Sequence, residues 1–383
     1  FMGNRYCGVT LEGRAVEVEV AGERMVGIRE IELAAEDLPL LAPPLVDLQH
    51  NGARGLAFNR VHEKPETLET VARHALRHGV GRLLATLTTQ PYEDGIESLK
   101  AIDRLLGEDP FLARCYPGIF YEGNYMSREY GWRGVHPEKF MRDPSWEEWE
   151  ALYRASGERI VKFNVDPALP GALATIRVAA AEGILVSMGH CGPDAETIGA
   201  AVEAGATLVT HLGNGAPPEI HRHRNPFWTW LADDRIRVGL IPDGYHLPGD
   251  FLRTALKLKG DGAYLVSDSA STAGLEPGVY GGSEIEEGGF THMTGNKEQL
   301  AGAWHQLDRG VERLCELGWS LEAAWRQASA VPAAIIGLEL PRIEAGALAE
   351  FVLARWDGAG LQLEQVVAAG EEILDRPVHP RML

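Results

Sequence analysis

The sequence predicts an α/β fold in which repeated βα units form a (β/α)₈ barrel, with a small β domain built from both ends of the chain. The length of 383 residues accommodates one large barrel and an appendage, at roughly 100–200 residues per domain. Between residues 44 and 337, short apolar runs alternate with longer amphipathic stretches, which is typical of parallel strands joined by helices. The terminal segments instead alternate apolar and polar residues, which is typical of half-buried strands.

Eight apolar runs predict the strands of the barrel. In chain order they are PLVDL (44–48), GRLLATLT (81–88), RCYPGIFY (114–121), RIVKFNV (159–165), ILVSMG (184–189), ATLVT (206–210), IRVGLI (236–241) and AYLVS (263–267). Amphipathic segments such as 65–79 and 170–183 lie between most of these runs and predict helices. The acidic stretch SWEEWE (145–150) is interpreted as the solvated start of another helix. A doubly wound open sheet has the same local pattern and remains the alternative.

The two chain ends predict a separate small domain. Residues 8–32 alternate as AVEVEV around the turn AGER, and residues 349–374 contain strand-like runs separated by glycine turns. We therefore assign 1–43 and 338–383 to a small β domain, and 44–337 to the barrel. Two unrelated sheet edges are the alternative.

Composition and charge exclude several classes of function. The hydrophobic fraction of 45% and the charged fraction of 24% are typical of a globular protein. Asp plus Glu number 55 against 36 for Lys plus Arg, a net charge of −19 that repels nucleic acid and anionic membranes. The four cysteines form no C-x-x-C pair, which argues against a disulfide framework or a zinc-thiolate site. Because no apolar run approaches the roughly 20 residues of a membrane span and the first residues lack signal-peptide features, we expect a cytoplasmic location.

Polar side chains that follow four of the apolar runs predict a metal-dependent active site. Glu122 follows the third run, His190 the fifth, His211 the sixth and Asp268 the eighth. In a (β/α)₈ barrel these are the carboxyl ends of strands, where the loops converge. Two imidazoles and one carboxylate suit Zn²⁺ and leave a position open for water, whose proton a nearby carboxylate such as Asp268 could take. For any one of these residues alone, a hydrogen-bonded core or surface role is the alternative.

The order and spacing of several motifs resemble a known family. The motifs are VDLQHNGARG, GIFYEGNYMS, VSMGH, THLGNGAPP, IPDGYHLP, LVSDSASTAG, ASAVPAAIIGLE and EAGALAEFVL. Together they resemble the amidohydrolase superfamily, and within it the N-acetylglucosamine-6-phosphate deacetylase family, from about residue 40 to residue 355. The resemblance implies a (β/α)₈ TIM-like barrel with a small β-sandwich domain built from both termini. It also implies cleavage of the N-acetyl group of an amino-sugar phosphate by a homodimer, in which the phosphate-binding residue can come from either subunit.

The resemblance assigns roles to the residues at the predicted strand ends. The family's metal ligands fall on Glu122, His190 and His211, and its catalytic acid/base on Asp268. Gln49 and Asn51 stand where many amidohydrolases carry the H-x-H pair of a second metal. Because amides are poor ligands for Zn²⁺, we expect one divalent metal per chain, Zn²⁺ with Fe²⁺ as the alternative. His50 lies between them and points to the opposite face if the segment is extended; its use as a ligand after a register shift is the alternative.

The resemblance also implies substrate contacts. His136 matches a catalytic-site histidine that contacts the substrate near the acetamido group. The remaining matches are to groups beside the sugar or its phosphate: Asn214, Gly215, Asp243, His246, the lid-like stretch from Leu300 to Gly302, and the two candidates for a phosphate-binding arginine, Arg222 and Arg224. Arg222 has the matching distance from His211, whereas Arg224 has the matching context before an Asn-Pro pair.

The sequence departs from the family pattern on the substrate side. The family's usual E-G-P is replaced here by Glu122-Gly123-Asn124, Phe120 and Tyr121 replace a His or a Leu, and GAPPEIHRHR replaces the commoner N-A-M stretch. These departures leave two other substrates open, an unphosphorylated N-acetyl amino sugar and an N-acyl amino acid. A catalytically silent metal-binding or sugar-binding protein on the same fold is a third alternative.

Overall fold

The structure, a computed structural model, describes residues 3–373. Its strands are β1 (Asn4–Val9), β2 (Ala15–Ala21), β3 (Arg24–Glu30), β4 (Leu40–Ala42), β5 (Leu45–His50), β6 (Gly52–Ala53), β7 (Leu56–Ala57), β8 (Val80–Leu87), β9 (Gly118–Tyr121), β10 (Ile160–Asn164), β11 (Leu185–Met188), β12 (Ala206–Val209), β13 (Arg237–Leu240), β14 (Ala263–Leu265), β15 (Gly278–Tyr280), β16 (Ser283–Ile285), β17 (Thr291–Met293), β18 (Asn296–Leu300), β19 (Phe351–Trp356), β20 (Leu361–Ala368) and β21 (Glu371–Glu372).

Helices connect most of the barrel strands. They are α1 (Thr67–Arg77), α2 (Tyr92–Glu108), α3 (Pro110–Cys115), α4 (Trp146–Ala155), α5 (Ala172–Ala181), α6 (Ala195–Ala204), α7 (Pro226–Ala232), α8 (Gly249–Lys259), α9 (Leu307–Glu316), α10 (Leu321–Ala328) and α11 (Ala330–Ile335). Short 3₁₀ turns lie at Ala35–Asp37, Phe58–Arg60, Glu138–Phe140, Gly260–Gly262 and Glu287–Gly289. No helix within residues 3–373 is both long enough and apolar enough to cross a bilayer.

Eight parallel strands form the predicted barrel. The order β5-β8-β9-β10-β11-β12-β13-β14 follows the chain, as it does in a (β/α)₈ fold. The first and last strands approach each other at their carboxyl ends, where Asn51 N donates to Ser269 O at 2.7 Å and Asp268 N donates to Gln49 O at 3.0 Å. The sheet is therefore nearly closed, which confirms the barrel and excludes the doubly wound open sheet.

Apolar side chains fill the barrel and the layer between its strands and helices. Every residue of β5 is buried, as expected for a strand covered on both faces. The interior cluster includes Leu84, Phe120 and Tyr264, together with Ile335 of α11. Most of the apolar face of the helices joins a second, larger cluster on the outside of the strands. This packing fixes the strand ends, and so it fixes the groups that follow them.

Both chain ends build a separate seven-stranded sheet of order β21-β20-β19-β4-β1-β2-β3. On β2 the valines 16, 18 and 20 are buried, whereas the alternate residues are partly or fully exposed, which is the predicted period of two. These three buried valines join Tyr6, Met25 and Phe351 in a third hydrophobic core. The exact limits 1–43 and 338–383 stay a prediction, and residues 1, 2 and 374–383 lie outside the described part of the chain.

The third predicted strand is too long. Only Gly118–Tyr121 is a strand, and Pro110–Cys115 forms the short helix α3. Asp109 caps this helix, because its Oδ1 accepts a hydrogen bond from Phe111 N at 2.8 Å, and proline occupies the first helical position. The apolar composition of 114–121 predicted a strand there, and these signs of a helix start just before it were missed.

Candidate active site

The loops at the carboxyl ends of the barrel strands surround a cavity of about 660 Å³. Glu122 follows β9, His190 and His211 follow β11 and β12, and Asp268 follows β14, so all four reach this cavity from different strands. His190, His211 and Asp268 have φ values of 54°, 30° and 51°, in the left-handed region that residues with a side chain rarely adopt. Strained backbone of this kind clusters at functional sites.

Glu122 and the two histidines form a compact, buried cluster. His211 Nε2 lies 3.2 Å from Glu122 Oε1, His190 Nε2 lies 3.4 Å from the same oxygen, and the two Nε2 atoms are 3.0 Å apart. Burial on its own would raise the pKa of Glu122, but the contacts with His190 and His211 together outweigh burial and hold this pKa well below its usual range. The carboxylate is therefore ionised at neutral pH.

The donor atoms of this cluster fit a divalent metal. His190 Nδ1 lies 3.0 Å from the carbonyl oxygen of Trp132, which can only accept a hydrogen bond. A neutral His190 therefore carries its proton on Nδ1 and presents an unprotonated Nε2 to His211 and Glu122. This arrangement, with the second ring nitrogen held by a backbone carbonyl, is typical of a metal-ligating histidine. The ligand atoms of Glu122, His136 and His190 also lie within 4.8 Å of one another, so His136 borders the same point.

The side-chain amides of Gln49 and Asn51, at the carboxyl end of β5, hold Asp268 beside the cluster. Gln49 Nε2 donates to Asp268 Oδ1 and to Glu122 Oε1, both at 3.0 Å. Asn51 Nδ2 donates to Asp268 Oδ1 at 2.7 Å. Burial, the largest effect, raises the pKa of Asp268 above its usual range. His50 points away from this cavity, and its Nε2 lies 2.9 Å from Gln306 Oε1.

His136 lies over the cluster on the long loop that follows β9. Its ring centroid is 4.4 Å from that of His190, and its Nδ1 is 2.9 Å from Thr89 Oγ1. Burial, the largest effect, lowers the pKa of His136 to about 3. The ring is therefore neutral over the physiological range, and it can donate one hydrogen bond to a bound ligand.

The chain resembles characterised proteins over most of its length. It is 33% identical to N-acetylglucosamine-6-phosphate deacetylase of Bos taurus over 329 residues, which cover 82% of this chain and 79% of the relative. This likeness decides the family. The chain belongs to the N-acetylglucosamine-6-phosphate deacetylase family.

Other comparisons agree with this family assignment. The chain is 27% identical to N-acetylgalactosamine-6-phosphate deacetylase of Escherichia coli O157:H7, with 89% of each chain covered. Its structure matches that of N-acetyl-D-glucosamine-6-phosphate deacetylase from Mycobacterium smegmatis with a TM-score of 0.81 and 26% identity, covering 96% of this chain and 98% of the other. No family model matches the sequence. As a deacetylase-family member, the chain is an amide-bond hydrolase of the amidohydrolase superfamily.

Most of the remaining positions taken from the family resemblance line the cavity. Asn214, Gly215, His246, Leu300 and Gly302 all do so. Asp243 instead lies behind His246, where its Oδ2 is 2.7 Å from His246 Nδ1. Burial alone would lower the pKa of His246, but the Asp243 carboxylate outweighs it and raises this pKa. Asp243 therefore orients His246 and favours its protonated form, and it does not face the cavity directly.

Arg222 and Arg224 do not reach the cavity within this chain. Both are exposed; Arg222 O accepts a hydrogen bond from Trp228 Nε1, and Arg224 Nη2 faces His221 Nε2. Among the described residues that line the cavity, none is a lysine or an arginine. The loop that carries the two arginines has no hydrophobic periodicity to predict its path, so their role in phosphate binding, from this chain or from the second copy of a homodimer, stays a prediction.

Several cavity residues were absent from the sequence prediction. Thr88 and Thr89 follow β8, and their place at the end of the second apolar run could have identified them as cavity residues. Asn296, Glu298 and Gln299 belong to β18, in a four-stranded antiparallel sheet (β15–β18) inserted after the eighth barrel strand. That sheet was not predicted, because its strands are short and the segment 278–300 that contains them is rich in glycine and charged residues.

Proposed function

We propose that this chain hydrolyses the N-acetyl group of N-acetylglucosamine-6-phosphate to give glucosamine-6-phosphate and acetate. The observation that carries the proposal is the convergence of Glu122, His190, His211 and Asp268 at the carboxyl end of the barrel. The names of the curated relatives supply the substrate class. The cavity volume of about 660 Å³ also suits a small ligand, since such sites typically occupy roughly 300–1,000 Å³.

Glu122, His190 and His211 would hold one divalent cation, with Zn²⁺ favoured by the ligand types and Fe²⁺ as the alternative. When bound, such a cation activates water and polarises the amide carbonyl. Gln49 and Asn51 use their amides to hold Asp268 and do not supply a second pair of ligands. This arrangement supports one metal per chain.

Asp268 acts as the general base and then as the general acid. Its raised pKa lies closer to neutral pH, which favours both the uptake and the release of a proton. The Gln49 and Asn51 amides fix the orientation of the carboxyl group. Asp268 takes a proton from the attacking water and delivers it to the departing nitrogen, which leaves as the amine. Neutral His136 donates a hydrogen bond to the acetyl oxygen as negative charge develops there.

The sugar phosphate would bind at the far side of the cavity. The Asp243 carboxylate favours the protonated, positively charged form of His246, and the side-chain amide of Asn214 and the backbone N–H of Gly215 offer donors. We assign the remaining cation to Arg222 or Arg224, supplied by the second copy of a homodimer or by movement of the exposed loop. The absence of a lysine or arginine among the described cavity residues favours one second candidate, an unphosphorylated N-acetyl amino sugar.

Comparison of the two sugars tests the proposal. Zinc-loaded protein should release acetate from N-acetylglucosamine-6-phosphate with a kcat/KM roughly ten- to a hundred-fold above that for N-acetylglucosamine, as expected for a charge-assisted contact of about 1.5–3 kcal/mol. The Arg222→Ala or the Arg224→Ala variant should reduce this ratio. Equal kcat/KM values for both sugars, unchanged in both variants, would favour the second candidate instead.

A further inference from the structure

The loop that carries His136 is closed at its base by a single buried side chain. Asn124 O accepts a hydrogen bond from Arg142 N at 2.9 Å, and Asn124 Nδ2 donates to Phe140 O at 2.7 Å. The same Nδ2 donates to Gln90 O at 2.6 Å. Asn124 thus joins both ends of the His136 loop to the loop that follows β8.

Asn124 is itself fixed from the barrel strand. Tyr121 OH donates to Asn124 Oδ1 at 2.6 Å, and both side chains are completely buried. The amide therefore uses its carbonyl oxygen and both of its N–H groups in hydrogen bonds. A fully satisfied buried network of this kind specifies one conformation of the segments that it joins.

The loop that follows β8 also holds the ring of His136. Thr89 Oγ1 lies 2.9 Å from His136 Nδ1, but it lies 3.5 Å from Gly123 O and 3.7 Å from Met126 Sδ. The imidazole nitrogen is therefore the nearest partner of the threonine hydroxyl, and we take the hydroxyl as the donor. A neutral ring that accepts at Nδ1 carries its own proton on Nε2.

We propose that Asn124 and Thr89 are positioning residues for His136: Asn124 holds the loop at its base, and Thr89 selects the tautomer that presents Nε2–H to the cavity. This inference rests on the proposed function, in which His136 donates to the acetyl oxygen. Asn124 replaces the proline of the family's usual E-G-P motif, so the hydrogen-bonded closure is a property of this chain's own sequence.

A double-mutant cycle tests the role of Asn124. Asn124→Leu keeps the side-chain size and removes all three side-chain hydrogen bonds, and it should lower kcat by about 10- to 100-fold, as expected when a catalytic group is displaced by roughly 1 Å. In a His136→Ala background, the same change should lower kcat by less than about 3-fold, because the effects of substituting residues that act through one another are not additive. Equal losses in both backgrounds would overturn the proposal.

Two tyrosines provide a matched pair in case Asn124→Leu does not fold. Tyr121→Phe removes the bond to Asn124 and should lower kcat with little change in KM. Tyr116 is equally buried, and its hydroxyl donates to Leu68 O at 2.7 Å, away from the site. Tyr116→Phe should leave kcat unchanged. Equal losses of kcat in the two variants would show a general effect on folding and contradict the proposal.

The tautomer provides a readout that requires no turnover. In ¹⁵N-histidine-labelled protein, with His136 assigned by comparison with His136→Ala, the ring should carry its proton on Nε2 in the wild type and in Thr89→Ser. Thr89→Val should change the ¹⁵N chemical shifts of the His136 ring and lower kcat. Thr175→Val, which removes a hydroxyl that donates to Gly171 O at the start of α5, should do neither. A proton on Nδ1 in the wild type would overturn the proposal. Failure of the wild type to release acetate would instead contradict the proposed function.

Discussion

At the residue scale, the site depends on which way side chains leave the ends of strands. Successive residues of an extended strand point to opposite faces, so Gln49 and Asn51 share one side and His50 takes the other. The structure has this arrangement: the two amides contact Asp268, and His50 contacts Gln306. The alternation was readable in the sequence because it depends only on backbone geometry.

Replacement of Asp268 by asparagine removes the proposed acid/base and keeps the side-chain size. Asp268→Asn should lower kcat by about 10²–10⁴-fold, the usual loss for one general acid/base. KM and metal content should change little, because Glu122, His190 and His211 remain. Steady-state kinetics and metal analysis measure both effects. A variant with near-normal kcat would show that Asp268 has a structural role.

Loss of a proposed ligand should remove the metal. His190→Ala and His211→Ala each leave two donors of the three, so both proteins should lose metal and activity together. His62 provides a control, since its Nδ1 bonds Ser98 outside the cavity. His62→Ala should keep metal and activity. Full metal occupancy in His211→Ala would contradict the assignment.

The pH dependence should report Asp268. A general base must be deprotonated, so kcat/KM should rise with pH through the pKa of Asp268, which burial raises. The Asn51 hydrogen bond stabilises the charged form, and its loss raises the pKa further. Asn51→Ala should therefore move the acidic limb to higher pH. His136, whose pKa is lowered to about 3, should not contribute to this limb; a shift to lower pH in Asn51→Ala would contradict the account.

At the element scale, regular secondary structure was predictable and insertions were not. The eight barrel strands and the helix that begins after Ser145 follow from periodicity and capping residues. The sheet β15–β18 escaped prediction, although β18 supplies part of the cavity wall and Gln299 Nε2 donates to Gly134 O at 2.8 Å. Its short strands are stabilised by contacts with the barrel loops, which local sequence does not encode.

Two glycines near this sheet allow the effect of backbone strain on stability to be measured apart from the effect of steric crowding. Gly302 and Gly295 have φ values of 73° and 80°, but an added Cβ on Gly302 would lie 2.9 Å from Ala270 Cβ, whereas nothing lies within 4 Å at Gly295. Gly295→Ala should lower the free energy of unfolding by about 1–2 kcal/mol. Gly302→Ala should lower it further and also reduce kcat/KM, because the neighbouring Asp268 O is 3.2 Å from the added atom. Chemical denaturation and kinetics measure both; equal stability and activity in the two variants would contradict this account.

At the scale of the whole molecule, the barrel mouth collects the reactive groups while the overall charge opposes an anionic substrate. The net charge of −19 disfavours a sugar phosphate at long range, so local donors must supply its binding. The sequence predicted the barrel, the terminal sheet and the family, because each rests on patterns repeated over long stretches. The phosphate-binding role of Arg222 or Arg224 stays a prediction, because exposed loops follow tertiary contacts and carry no periodic pattern.

The central claim is that one metal, held by Glu122, His190 and His211, supports deacetylation at this site. Titration of metal-free protein with Zn²⁺, with acetate release from N-acetylglucosamine-6-phosphate as the readout, tests it most directly. Activity should rise linearly and reach its plateau at about one equivalent per chain, as expected for one site with three protein ligands. A plateau at two equivalents, or full activity in the metal-free protein, would contradict the claim.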